Sequence, residues 1–140
     1  MEGTRILLVV ENDHLRKSLK DTLLMYDCHV LEAENGLIAM ASVQHFKVQI
    51  IISQIEMSVM GGLQLLEHVR RSAELRNVPF IFLTTLPAKT GSVMMGSEGY
   101  LNLPYTIKSL ITCVKTMLLR TNENSDSVRD SKHGIPNYTV

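Results

Sequence analysis

Short apolar runs alternate along the chain with longer stretches in which apolar residues recur at helical spacing. The runs cover residues 6–10, 28–33, 48–52, 80–83 and 99–103, and each has the length of a strand. Because they are apolar at successive positions, they predict strands of a parallel sheet that is buried on both faces. The run at 48–52 is the most hydrophobic and is expected to be central.

The stretches between the runs predict helices that each bury one stripe. Asp13 is expected to cap the first helix and Thr106 the last, and Asn35-Gly36 marks the start of the second. The expected stripes are Leu15, Leu19 and Leu23 in the first helix, Leu37, Met40 and Ala41 in the second, Leu63, Leu66 and Val69 in the third, and Ile107, Leu110, Ile111, Val114, Met117 and Leu118 in the last.

Alternation of this kind implies a sheet covered by helices on both sides, with the functional crevice at the carboxyl ends of the strands. The candidate residues are therefore those that directly follow the apolar runs or end them. They are Glu11, Asn12, Ser53, Gln54, Thr84, Thr85, Leu103 and Pro104.

Composition and charge narrow the class of protein. Basic and acidic residues each number 14, so the net charge is zero, which argues against a nucleic-acid or anionic-membrane surface. No apolar run has the length of a membrane span, and the first residues lead directly into a strand, which leaves no room for a signal peptide. Cys28 and Cys113 are predicted to be reduced core residues of a cytoplasmic protein.

The chain becomes polar after residue 120. Residues 121–140 contain Gly134 and Pro136 and are predicted to form a disordered tail or a linker. The alternative is that the final residues form a short docking peptide.

Five segments, in the correct order, resemble the receiver domain of two-component response regulators over residues 4–120. They are Arg-Ile-Leu-Leu-Val-Val-Glu-Asn-Asp, Glu-Asn-Gly-Leu-Ile-Ala-Met, Met-Gly-Gly-Leu-Gln-Leu-Leu-Glu, Asn-Val-Pro-Phe-Ile-Phe-Leu-Thr-Thr and Gly-Tyr-Leu-Asn-Leu-Pro-Tyr. The resemblance implies a (βα)5 flavodoxin-like fold, a doubly wound parallel sheet of five strands in the order 2-1-3-4-5.

The resemblance also implies the positions of a phosphorylation pocket. Receivers hold Mg²⁺ with an acidic pair, accept the phosphoryl group on an aspartate, and bind it with a hydroxyl and with a lysine that precedes a proline. Matched by spacing, the acidic pair falls on Glu11 and Asn12, the phosphoacceptor on Gln54, the hydroxyl on Thr84, and the lysine on Leu103, followed by Pro104.

Three of these positions lack the required group. Gln54 is a neutral amide and cannot serve as the carboxylate nucleophile, and Asn12 removes an anionic metal ligand. Leu103 cannot neutralise a phosphoryl group. Because both signs of charge have gone, the pocket is predicted to be near neutral, with no metal, cofactor or catalysis.

A weak cation site formed by Glu11, Asp13 and Glu56 is the alternative to this metal-free pocket. The preferred interpretation is that Asp13 caps a helix and Glu56 is solvated.

Parts of the family's conformational switch have counterparts here. Thr84 and Tyr100 stand at the switch hydroxyl and the switch aromatic. The alternative is that the Thr84 hydroxyl only forms a hydrogen bond with a backbone group and that Tyr100 packs on the surface with its hydroxyl in water.

The segment between Thr84 and Tyr100 is shorter than is usual in receivers and contains three helix-breaking residues, Pro87, Gly91 and Gly96. We predict a single turn or an irregular loop over about residues 89–95. Its two methionines are expected either to form an adaptable contact site or to fill the core. The predicted interaction face comprises Met94, Met95, Tyr100 and Tyr105.

These observations predict a non-enzymatic, receiver-like signalling module that is not phosphorylated and acts through protein contact. Its expected partners are a histidine kinase, an output domain or another regulator, with a second copy of the chain as a further candidate, and neither nucleic acid nor membrane. The alternatives are a conventional phosphoaccepting receiver with an atypical site and a flavodoxin-like domain that binds a small ligand.

Overall fold

The computed structural model of the chain describes residues 1–85 and 98–134, with the backbone alone for residues 121–134. The strands are β1 (Arg5–Val9), β2 (His29–Ala33), β3 (Ile50–Gln54), β4 (Phe80–Thr84) and β5 (Glu98–Asn102). The described helices are α1 (Asp13–Met25), α2 (Gly36–Ser42), α3 (Gly62–Arg71) and α4 (Ile107–Gly134). All strand pairs are parallel, and the predicted order β2-β1-β3-β4-β5 is confirmed.

The core consists of two layers, one on each face of the sheet. On one face, Ile50 and Ile52 of β3 pack in a cluster with Leu19 of α1 and Leu110 of α4. On the other face, Ile51 packs with residues of α2 and α3. Successive side chains of a strand point to opposite faces, so a sheet that is covered on both faces requires apolar residues at every position. This explains the continuous apolar runs in the sequence.

The predicted stripes of α2 and α3 are only partly correct, because Val69 is buried and Met40 and Leu66 are half-buried as predicted but the other members are exposed, whereas the stripe of α1 is confirmed and that of α4 largely so. Leu37 and Leu63 are 56% and 53% exposed, and the buried positions are Ala39 in α2 and Leu65 and Val69 in α3. In α4, Ile107 is likewise exposed, while its other stripe residues are buried or half-buried.

Close packing at a glycine accounts for the orientation of α2 and α3. A Cβ atom at Gly62 would stand 2.2 Å from the Gln54 carbonyl oxygen, and one at Gly36 would stand 2.7 Å from Met60 Cγ. The glycine must therefore face the protein interior in both helices. The residue three positions later lies on the same side of a helix, so Ala39 and Leu65 are buried as well.

One of the two predicted helix caps, Thr106, is confirmed, and the start predicted for the second helix at Asn35-Gly36 is also confirmed. Thr106 Oγ1 accepts a hydrogen bond from the Ser109 N–H at 3.0 Å, and Asn35 Oδ1 accepts from the Ile38 N–H at 2.9 Å. The prediction for Asp13 is wrong, because Asn12 Oδ1 caps α1 by accepting from the Leu15 N–H at 2.8 Å. Asp13 instead lies in the first turn of α1.

The last helix continues to Gly134, through residues for which the sequence predicts disorder. No glycine or proline interrupts residues 121–133, so the helix extends to the first residue that favours its end. The assignment of 121–140 as a tail or linker stays a prediction, and residues 135–140 lie outside the described residues.

The predicted loop at 89–95, with Met94 and Met95, lies outside the described residues. The peptide bond between Leu103 and Pro104 is cis.

None of the described helices has the length and apolar composition needed to cross a membrane.

The contact between Gly62 and Gln54 gives a test of the packing. Gly62→Ala is expected to lower the free energy of unfolding by about 1–3 kcal/mol, because the new methyl group would force the backbone of α3 away from β3. Gly99→Ala is the matched control. Its methyl group would stand 2.9 Å from the flexible end of Met117 and at an ordinary contact distance of 3.6 Å from Ile81 Cγ1, so we expect a smaller loss. Urea unfolding followed by circular dichroism measures both, and equal losses would contradict this account.

Candidate functional site

The carboxyl ends of β3 and β4 and the turn after β5 surround a small cavity. Its volume is about 180 Å3, and it is lined by Gln54, Ile55, Glu56, Leu83, Thr84, Thr85 and Leu103. The structure therefore brings together four of the predicted candidate residues, Gln54, Thr84, Thr85 and Leu103. Glu11 reaches Gln54 through its backbone, whereas Asn12, Tyr100 and Pro104 do not line the cavity.

Gln54 ends the central strand and is held by the end of β1. Its side-chain oxygen Oε1 accepts a hydrogen bond from the Glu11 backbone N–H at 2.5 Å. The preceding residue, Ser53, is fully buried and donates its hydroxyl to the Gln54 carbonyl oxygen at 2.8 Å. The side chain at the end of β3 is thus an uncharged amide that already has a backbone partner.

The Glu11 carboxylate points to the loop between β3 and α3. It accepts hydrogen bonds from the Ser58 backbone N–H, at 3.3 Å to Oε2 and 3.4 Å to Oε1, and also from the Ser58 hydroxyl. These contacts connect the end of β1 to the loop that follows β3. Glu56, on the same loop, is exposed, as expected.

The next two residues of the predicted acidic region have other partners. Asn12 Oδ1 caps α1, and Asp13 Oδ1 accepts from Arg16 Nη2 at 2.7 Å. Among the described residues, no three His, Cys, Asp or Glu side chains are placed to hold a metal ion. The alternative cation site of Glu11, Asp13 and Glu56 is therefore not supported, and the side chains at these positions do not fit the magnesium site that receivers use.

Arg16 connects α1 to the end of β1 and to β2. Its Nη1 donates to the Val10 carbonyl oxygen at 2.6 Å, and its Nε donates to Glu32 Oε1 at 3.1 Å. Lys20 Nζ donates to Glu32 Oε2 at 2.7 Å. The Lys20 hydrogen bond is the largest cause that holds the pKa of Glu32 below its ordinary value; Arg16 acts in the same direction, and partial burial opposes both.

Leu103, which spacing matches to the lysine of receivers, is a packing residue. It is half-buried, contacts the core cluster on the α1 and α4 face, and donates its backbone N–H to the Thr84 carbonyl oxygen at 2.8 Å. Thr84 itself is 9% exposed. The cavity therefore has an aliphatic wall at the position for which spacing predicts the family's lysine.

Tyr100 faces the α2 and α3 side of the sheet and does not line the cavity. Its ring stacks on Phe82 with the centroids 5.8 Å apart, because the two residues are register partners in neighbouring strands. The hydroxyl is buried and has no hydrogen-bond partner among the described residues, so the expectation of a hydroxyl in water is wrong. Burial, and to a lesser degree the Glu98 carboxylate, raises the pKa of Tyr100.

The two tyrosines of the predicted interaction face pack on opposite sides of the sheet. Tyr100 contacts the α2 and α3 layer, whereas Tyr105 contacts the α1 and α4 layer and places its hydroxyl 2.5 Å from Ser18 Oγ. A face that combines them with Met94 and Met95 stays a prediction.

The sequence interpretation missed Ser58, Arg16, Lys20 and Glu32. The spacing of Arg16 and Lys20, one helical turn apart, was the available signal for two cations on one face of α1. Their shared partner lies on β2, and it becomes apparent only when α1 is packed over that strand. Ser58 lies in an irregular loop and gave no pattern.

Residues 6–115 match the family model described as the response regulator receiver domain. This chain belongs to that family. The resemblance seen in the sequence is thereby confirmed, and the fold described above is the flavodoxin-like fold of CheY-type receivers.

The first relatives by similarity are longer than the region that this chain matches. The probable transcriptional regulator ycf29 of Porphyra purpurea is 33% identical over 127 residues, which are 88% of this chain and 61% of that protein. Histidine kinase P4 of Formosa agariphila is 29% identical over 138 residues, which are 96% of this chain but 10% of the kinase. The chain thus spans less than two thirds of the length of these relatives.

Solved receivers share the architecture. The chemotaxis protein CheY4 of Vibrio cholerae superimposes with a TM-score of 0.75 at 25% identity, over 82% of this chain and 98% of that one. The receiver domain of the sensor histidine kinase PA1611 of Pseudomonas aeruginosa, solved with a magnesium ion coordinated in its active site cleft, has a TM-score of 0.73 at 22% identity, over 83% of this chain and 98% of that one.

The cluster of Arg16, Lys20 and Glu32 predicts a pH-dependent contribution to stability. Glu32→Gln is expected to lower the free energy of unfolding by about 0.2–1 kcal/mol at neutral pH, because the pair is partly exposed and screened. A carboxylate whose pKa is lowered by folding stabilises the protein above the ordinary glutamate value of 4.5, and this contribution is lost as the pH falls through the folded-state value. The difference between the variant and the original chain should therefore vanish in acid.

The control for this prediction is Glu34→Gln, which changes an exposed carboxylate that makes no hydrogen bond with the described residues. Urea unfolding at neutral and at acid pH measures both variants. A loss at Glu32 that does not change with pH would contradict the assigned role of the carboxylate.

Proposed function

We propose that this chain is a receiver module that does not accept a phosphoryl group and that signals through contact with other proteins. The observation that carries the proposal is the side chain at the end of β3. It is the amide of Gln54, and its oxygen accepts a hydrogen bond from the Glu11 backbone N–H at 2.5 Å.

Phosphoryl transfer to a receiver needs a carboxylate nucleophile, and an uncharged amide cannot replace it. The rest of the cavity supplies no compensating chemistry. Leu103 brings a half-buried aliphatic side chain to the place of the phosphate-binding lysine. A phosphoryl group in this cavity would therefore lack both its covalent attachment and the cation that stabilises its charge.

The residues that would hold a metal are engaged elsewhere. Glu11 is hydrogen-bonded to Ser58, Asn12 caps α1, and Asp13 pairs with Arg16. Magnesium requires several oxygen ligands at near-ideal octahedral positions and usually one or two carboxylates. We propose that the hydrogen bonds of Glu11 hold the ends of β1 and β3 together without a metal.

The proposed partners are proteins of two-component pathways. The relatives include a regulator and a histidine kinase in which the matched region is one part of a longer chain. A histidine kinase, an output domain, another regulator or a second copy of this chain would each act as a protein partner. The balanced net charge gives no support for a nucleic-acid partner of this domain.

A domain that binds a small ligand in the same cavity is less well supported. Ligand pockets usually have volumes of about 300–1,000 Å3, whereas this cavity measures about 180 Å3. Gln54, one of its polar lining residues, is hydrogen-bonded to the backbone of the chain itself.

An amide NMR titration of the ¹⁵N-labelled chain tests the proposal. Addition of Mg²⁺, and then of Mg²⁺ with the phosphoryl mimic beryllofluoride, is expected to leave the amide signals of Gln54, Thr84 and Leu103 unchanged, because no carboxylate stands at the end of β3. Saturable shifts at these residues would overturn the proposal.

A restored variant supplies the positive control. In the triple variant Asn12→Asp, Gln54→Asp, Leu103→Lys the acidic pair, the phosphoacceptor and the cation are all present again. We expect this variant to bind Mg²⁺ with saturable shifts at the strand ends. If the original chain and the triple variant respond equally, the three substituted residues do not explain the loss of chemistry.

A further inference from the structure

We infer that the amino-terminal edge of the strands, on the β2 side, carries a docking groove for an acidic segment of a protein partner. The groove is a cavity of about 270 Å3. Its lining residues come from the starts of β1 and β2 and from the loop before β3, and they are Arg5, Ile6, His29, Val30, Leu31, Phe46, Lys47 and Val48. It lies at the opposite end of the strands from the Gln54 cavity and does not depend on the chemistry proposed there.

The floor and one wall of the groove are apolar. Leu31 is half-buried in the α2 and α3 layer, and Val48 is 9% exposed in the same layer. Phe46 stands beside them on the loop and is 57% exposed. Such a cavity is large enough for one or two apolar side chains but smaller than the usual pocket for a cofactor.

The rim of the groove is basic. Arg5 and His29 are register partners at the starts of their strands, so their side chains lie on the same face of the sheet. Lys47 adjoins them, and no acidic residue lines the groove. The carboxylate of β2, Glu32, points to the other face, where it pairs with Arg16 and Lys20.

The groove is preformed. Arg5 Nε donates to the Lys47 carbonyl oxygen at 3.0 Å, and the Arg5 backbone N–H donates to Gln49 Oε1 at 2.9 Å. The Gln49 N–H in turn donates to the Arg5 carbonyl oxygen at 2.8 Å. These bonds fix the loop of Phe46 against the start of β1, so little ordering would be needed on binding.

Charge complementarity identifies the occupant. The chain as a whole has no net charge, so a local basic rim around an apolar floor favours a segment that carries carboxylates on both sides of an apolar anchor. β2 is also the edge strand of the sheet, which leaves room for an extended segment along the groove. We therefore assign the groove to an acidic, extended segment of a partner protein with a phenylalanine or leucine anchor.

The probe is a blocked synthetic peptide, Glu-Glu-Phe-Glu-Leu-Glu, added to the full ¹⁵N-labelled chain. Saturable shifts are expected at the amides of Val30, Leu31, Phe46 and Lys47, and the affinity should fall as salt is added. The peptide with lysine in place of every glutamate tests the charge, and the peptide with alanine in place of phenylalanine and leucine tests the anchor. Both are expected to bind more weakly.

Variants on the chain complete the test. Phe46→Ala and Lys47→Glu both change exposed side chains and are each expected to weaken binding of the acidic peptide by about tenfold. Leu119→Ala and Lys115→Glu are matched changes on the exposed face of α4 and should leave the affinity unchanged. The inference is overturned if the acidic peptide gives no saturable shifts, if the lysine peptide binds as tightly, or if the α4 variants weaken binding equally.

Discussion

Burial of both faces of the sheet is the constraint on which the rest of the structure depends. Ile50, Ile51 and Ile52 of the central strand are fully buried, so polar side chains of this strand can reach solvent only where it begins or ends. The two layers of helices must also approach the sheet closely, and at Gly62 the approach leaves no space for a Cβ atom. For the central strand, polar chemistry is thus confined to its two ends, whereas the edge strand β2 can carry the exposed Glu32 on its face.

The carboxyl-terminal edge shows why the substitutions in this receiver are consistent with one another. A carboxylate at position 54 would be half-buried with no lysine or metal to offset its charge, and an unpaired charge so placed is costly. The amide of Gln54 avoids this cost and still satisfies the Glu11 N–H. Leu103 in turn packs against the core, where an unpaired lysine would be costly.

The fold could be predicted from the sequence because burial in the sheet and helices produces apolar runs and helical periodicity that can be recognised in the sequence. It was less informative where a single contact decides the outcome. Leu63 and Leu65 fit equally well in a helical pattern, and the close approach at Gly62 selects Leu65. Asn12 and Asp13 are both good capping residues, and only the geometry assigns the cap to Asn12. In the site, the substituted positions were readable by spacing, whereas the Glu11–Ser58 contacts join an irregular loop to a strand end and have no sequence signature.

The hydrogen bonds at the carboxyl-terminal edge also limit how this module can be regulated. A ligand changes a conformational equilibrium only through a difference in affinity between the two states. The bonds from Glu11 to Gln54 and from Ser58 to Glu11 connect β1, β3 and the following loop. A typical intramolecular hydrogen bond contributes about 0.5–1.5 kcal/mol net, and one to a charged group about 1.5–3 kcal/mol. A partner that binds the opened arrangement more tightly by only a few kcal/mol would therefore release the loop, an energy well within the reach of a protein interface.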